Sequence, residues 1–215
     1  MKKICLYLLA ITLSFMFCSC ISVSDATTEE EINKVGDTTV SEDENFEMTL
    51  TRAEIVDAVC LDKSREDLLL PIGQEEASKA PELALSKSLG HIVLSYYFDF
   101  RHVGKQESFD FANLLGAPTV TYDNEYEFSQ KYFSVIANKS NYNWLVLSSD
   151  VYKNGLESMP GLKNMIWVPS NYVYEPLSKN VYEVRGVIIL PEEVADEEKP
   201  LTIKFPGLGQ EYTIR

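Results

Sequence analysis

The sequence predicts an all-β domain, an antiparallel sandwich of about seven to nine strands, and three observations carry that expectation. Between His91 and His102 the residues alternate in character. Ile92, Leu94, Tyr96, Phe98 and Phe100 fall on one side, with His91, Val93, Ser95, Tyr97, Asp99 and Arg101 on the other. Short apolar runs recur along the chain, separated by Gly, Pro, Asn and Asp. Little of the chain shows the longer repeat of a helix.

Taken in order, the chain starts with an export signal. Lys2 and Lys3 precede an apolar run from Ile4 to Phe17, and small Ser19 stands before Cys20. The run is short for a membrane span, which needs about 20 apolar residues. Residues 1–19 are therefore expected to be a cleaved leader. Cys20, placed where the run ends, is expected to take a lipid on its sulfur and to become the new N-terminus. Ordinary secretion with Cys20 as a bystander is the alternative. The protein would then sit at the cell membrane, lipid-anchored and facing outside the cytoplasm.

Residues 20–45 are rich in Ser, Thr, Asp and Glu and contain no aromatic side chain. Such a segment buries too little apolar area to offset its conformational entropy, so it is expected to be a disordered tether. A partner-binding acidic tail is the other reading.

The folded domain is expected to span residues 46–215. Phe46, Met48 and Leu50 alternate with Glu47, Thr49 and Thr51 as a half-buried strand. Leu68 to Ile72 is a short strand ended by Gly73, and residues 74–90 form a loop with at most one helical turn. His91 to His102 is the central strand. After a turn at Val103, Gly104 and Lys105, Phe109 and Phe111 resume alternation, which predicts a hairpin. A second hairpin turns at Asp123, Asn124 and Glu125 between Val120–Tyr122 and Tyr126–Phe128.

Residues 129–172 hold Phe133, Val135 and Ile136, then the apolar runs Trp144–Leu147 and Met165–Val168, with one short helix between them. Val181 to Leu190 is a strand stopped by Pro191. Leu201, Ile203 and Phe205 mark another, and Tyr212 with Ile214 a last one after Gly207 and Gly209.

Charge and cysteine content narrow the function. The formal net charge is −14, which repels phosphate backbones and excludes nucleic acid as a partner. Of the 4 cysteines, only Cys60 lies in the domain, so no internal disulfide is expected.

Several stretches carry a family resemblance: FEMTLTRAEIVDAV from Phe46, HIVLSYYFDFRHVGK from His91, VTYDNEYEF from Val120, EPLSKNVYEVRGVIILPEEV from Glu175 and KPLTIKFPGLGQEYTIR from Lys199. Together they resemble the immunoglobulin-like domains of small bacterial lipoproteins, related to the mycobacterial immunoprotective secreted antigens. The resemblance covers most of Phe46 to Arg215 but not Ser148 to Asn171. It implies an immunoglobulin-like sandwich and no active site.

No catalytic residue, metal ligand or cofactor is expected. The 2 histidines, His91 and His102, fall on opposite faces of their strand and are expected at its surface ends. The chain lacks H-E-x-x-H, G-x-S-x-G and nucleotide-binding glycine patterns. Asp123, Asn124 and Glu125 lack the spaced oxygens of a calcium loop.

Tyrosine is abundant at 12 residues, and an exposed subset would suit a protein interface or a sugar. Val93 and Tyr97 form the candidate interaction face. They either meet a partner or are covered by the segment from Ala137 to Tyr172. The functional expectations, in order, are a monomeric lipid-anchored module binding a protein or envelope component, a carbohydrate-binding module, and a hydrolase.

Overall fold

The computed structural model describes residues 32–62, 68–86, 90–104, 109–115, 117–129, 131–138, 145–159, 162, 165–167, 173–174, 181–196 and 198–215. The leader, Cys20, Trp144, Tyr142 and Tyr172 lie outside the described residues.

The alternating stretch is strand β7 (His91–His102), and it is central. It pairs antiparallel with β15 (Val181–Pro191) on one side and with β3 (Phe46–Val56) on the other. Beyond β15 come β11 (Tyr132–Asn138), β12 (Leu145–Ser148) and β13 (Ile166–Trp167). Beyond β3 comes β2 (Thr38–Val40), completing a 7-stranded sheet.

A 5-stranded sheet faces it, in the order β1 (Asn33–Lys34), β17 (Gln210–Thr213), β16 (Leu201–Phe205), β9 (Thr119–Tyr122) and β10 (Tyr126–Phe128). The protein is thus a β-sandwich. The count exceeds seven to nine because strands of two to four residues carry too little periodicity to be read from sequence.

The apolar face of β7 fills the space between the sheets, as its alternation requires. Phe98 is 1% exposed, and its ring lies 4.7 Å from that of Phe205 in the opposite sheet. Tyr96, Phe100, Leu50, Tyr182, Val184, Val120, Ile203 and Tyr212 belong to the same buried cluster. The Tyr96 hydroxyl is satisfied inside it by Ser134. Gly186 is cross-strand from Tyr96, and a Cβ there would overlap the tyrosine ring.

The large sheet is apolar on its other face too. Val93, Phe133, Val135, Val146 and Val187 point away from the sandwich core into a second cluster with Val59, Leu61, Leu68, Leu69, Leu156, Leu162 and Met165. The cover includes a small sheet of β5 (Pro71–Ile72), β4 (Ala58–Cys60) and β6 (Ala84–Ser86), with helix α1 (Gln74–Lys79) beside it. Helix α3 (Asp150–Leu156) also contributes, and it is the short helix expected in that region. The structure therefore has three layers, which explains why so many short apolar runs exist.

Several expectations are corrected. The segment over residues 20–45, assigned to a disordered tether, contains two strands among its described residues. Asn33–Lys34 pairs parallel with β17 and Thr38–Val40 pairs with β3. Polar strands like these have no apolar alternation to betray them. They are fixed by partners far along the chain, such as the Thr39 and Tyr212 hydroxyls 2.7 Å apart and Gln210 Nε2 donating to the Val40 carbonyl at 2.8 Å.

Phe109 and Phe111 do not complete a hairpin with β7. Residues Phe109–Asp110 form β8, which pairs with β14 (Val173–Tyr174), and Phe111–Leu115 is helix α2. Its Leu114 and Leu115 pack into the sandwich core. Strand β3 carries a bulge at Thr51: Leu50 pairs with Phe98 and Arg52 with Tyr97. The extra residue moves the core-facing positions from Phe46, Met48 and Leu50 to Ala53 and Ile55. The turn at Asp123 and Asn124 is as expected, both residues having positive φ (55° and 57°).

Candidate functional site

The face bearing Val93 and Tyr97, the candidate interaction face, lies under the second apolar cluster: Val93 is buried in it and Tyr97 is half-buried. Val93 is 0% exposed in the second cluster. Tyr152, Met159 and Trp167, from the segment expected to fold over it, pack against the same cluster. Tyr97 is half-buried and held on three sides. Its hydroxyl donates to the Leu69 carbonyl at 2.8 Å, and the guanidinium carbons of Arg52 and Arg185 lie 5.6 and 5.3 Å from its ring centroid. Arg185 is itself fixed by Glu183 and by the Leu68 carbonyl. An aromatic clamped this way is a structural element joining the cover layer to the sheet.

The histidines separate as expected but do not share an environment. His102, expected at the surface, is 5% exposed and packs 5.4 Å from the Phe46 ring, because even-numbered positions of β7 face the sandwich core. His91, at the other end, is half-buried beside a cleft. Cys60 is a buried free thiol. Asp123, in the hairpin turn between β9 and β10, accepts from the Lys199 ammonium at 2.8 Å. Among the described residues no group of three or more His, Cys, Asp or Glu side chains could hold a metal, and no helix is long and apolar enough to cross a membrane.

Of the tyrosines, Tyr96, Tyr182 and Tyr212 are core residues. Burial pushes the phenols of Tyr96 and Tyr212 up from their ordinary range and that of Tyr152 up to about 12. Tyr126 is the exposed one among the described residues, at 55%, with the Tyr122 ring 6.5 Å from it.

The described residues include a cleft of about 320 Å³ at one end of the sandwich, lined by His91, Glu127, Phe128, Ser129, Lys131, Ile188, Ile189 and Pro191. Its position follows from the topology. Between Phe128 and Tyr132 the chain leaves β10, the edge of the smaller sheet, and enters β11 in the larger one. The Ile189 amide donates to the Lys131 carbonyl at 2.9 Å, which holds that crossing against β15. Phe128 and Ile189, both half-buried, supply apolar surface, and Glu127 and Lys131 are exposed charges of opposite sign.

Lys131 Nζ donates to His91 Nε2 at 3.3 Å, since an ammonium has no acceptor to offer. Glu127 makes no hydrogen bond or ion pair among the described residues. The cleft lies in the size range of small-molecule sites, at its lower end. Sequence reasoning missed it because its residues come from three separate stretches of the chain that no functional motif joins.

No protein-family model matches the chain and no curated protein resembles it in sequence. Among solved structures it is similar to an uncharacterised β-sandwich protein of Clostridium difficile 630, with 17% identity and a TM-score of 0.48 over 86% of this chain and 95% of that one. It is also similar to a conserved hypothetical protein of Bacillus anthracis, with 15% identity and a TM-score of 0.42 over 85% of this chain and 95% of that one. The chain's own strand pairing defines it as a β-sandwich protein.

Proposed function

We propose that the chain is an envelope lipoprotein whose β-sandwich is a binding module, with the cleft between β10 and β15 as its binding site. The observation that carries this is the cleft itself. It is concave, has an apolar wall, and is lined by Glu127, Lys131, Ser129 and His91, which carry a carboxylate, an ammonium, a hydroxyl and an imidazole. Binding is favoured over catalysis because Nε2 of the one histidine there already accepts from Lys131, leaving that nitrogen poorly placed as a general base. The resemblance of the sequence to immunoglobulin-like lipoprotein domains supports the same reading.

The anchor rests on Cys20 at the end of its apolar run. With Asn33–Lys34 in a strand, the proposed spacer lies between Cys20 and that strand. Growth with a radiolabelled fatty acid should label the wild-type protein and leave Cys20→Ser unlabelled and in the soluble fraction. Equal labelling or equal membrane partition of the two would overturn the anchor.

A carbohydrate-binding reading has one observation in its favour. Tyr126 is exposed at the edge strand beside the cleft, with Tyr122 close by, an arrangement on which a sugar ring could stack.

A further inference from the structure

We infer that the cleft takes a small zwitterion of amino-acid size, its carboxylate held by Lys131 and its ammonium by Glu127; this rests on the cleft being the binding site. Glu127 and Lys131 are exposed, opposite in sign and line one space without forming an ion pair; such a pair at a surface is worth little, so both charges stay solvated and open to a ligand. Lys131 turns its ammonium to His91, and the Glu127 carboxylate is committed to nothing among the described residues.

The cleft is therefore bipolar, with one charge of each sign available to a ligand. A net anion would be repelled by Glu127 and by the protein's overall charge of −14, whereas a net cation, though drawn by that charge, would leave the Lys131 ammonium without a partner. A molecule carrying both charges meets a partner for each, and each contact is a charge-assisted hydrogen bond. Phe128, Ile189 and Pro191 give its side chain an apolar wall, and about 320 Å³ accommodates a molecule of that size.

The test uses three probes of one shape series, L-leucine, N-acetyl-L-leucine and L-leucinamide, and glucose as a neutral polyol. Each is titrated into the isotope-labelled protein while the amide signals of Glu127, Lys131 and Ile189 are followed. L-Leucine should shift these signals, and removing either of its charges should weaken binding about tenfold or more. The variants assign each charge. Lys131→Gln should cease to distinguish leucine from leucinamide, and Glu127→Gln should cease to distinguish leucine from its acetylated form. Both side chains are exposed, so both variants should keep the wild-type urea midpoint.

Equal binding of leucine and its two blocked forms would overturn the zwitterion and leave the cleft as a binding site. Glucose shifting the cleft where leucine does not would overturn it in favour of a polyol. Silence of all three signals with every probe at saturating concentration would overturn both the zwitterion and the cleft.

Discussion

Tyr97 is the residue whose replacement separates a structural face from a recognition face. Its hydroxyl donates to the Leu69 carbonyl in the cover layer, and its ring lies between Arg52, with a side chain 45% exposed, and Arg185, at 11%. Tyr97→Phe keeps the ring and removes one hydrogen bond, leaving the Leu69 carbonyl without that donor, at a cost of about 1 kcal/mol. Tyr97→Ser removes the ring as well. The more exposed Arg52 contact is worth about 0.5 kcal/mol and the more desolvated Arg185 contact about 1.5 kcal/mol, which with the hydrogen bond gives a loss of about 3 kcal/mol in the serine variant. With a urea m-value of about 2 kcal/mol/M for a domain of this size, the midpoints should fall by about 0.5 M and about 1.5 M. Urea unfolding followed by tryptophan fluorescence reads both. Two variants with wild-type midpoints would refute the clamp and restore the face as a free surface.

Two further outcomes follow from the packing. Gly186→Ala places a methyl group against the Tyr96 ring and should destabilise by about 2 kcal/mol, lowering Tm by several degrees; an unchanged Tm would show that the ring does not lie over Gly186. Alkaline pH should unfold the protein through its buried phenols. Tyr152 has a folded-state pKa raised to about 12 from 10.0, so the unfolded chain loses this proton first. Its contribution is fully present below pH 10 and is lost as pH rises toward about 12. Tyr152→Phe should flatten the decline in urea midpoint between these values, and an identical pH profile would contradict it.

What the sequence made legible was the part of the fold whose pattern is local. β7 alternates over its whole length because one side faces a core packed from the opposite sheet, so its position could be read directly. Asp123 and Asn124 announced their hairpin by tolerating positive φ. The failures share a cause, in that the deciding partner lies far away in the chain. Asn33–Lys34 and Thr38–Val40 look like solvated spacer until β17 and β3 are placed beside them. Phe109 looked like a continuation of alternation, but its partner is Tyr174.

The second core was only half legible. Val93 alternated with polar neighbours, and nothing local said that Leu156, Leu162 and Met165 would cover it. The cleft was not legible at all. His91, Glu127, Lys131 and Pro191 are ordinary residues until the crossing from β10 to β11 brings them to one end of the sandwich.

The account places recognition in the cleft and structure at Tyr97, and one crossed measurement tests that division: the urea midpoint and the leucine-induced amide shifts of Tyr97→Ser, Glu127→Gln and Lys131→Gln, each beside wild type. The two cleft variants should keep the wild-type midpoint and lose the leucine response that depends on the removed charge. Tyr97→Ser should lose about 1.5 M in midpoint and, where still folded, respond to leucine as wild type does. The reverse pattern, with stable Tyr97→Ser unable to respond and both cleft variants responding normally, would contradict the account.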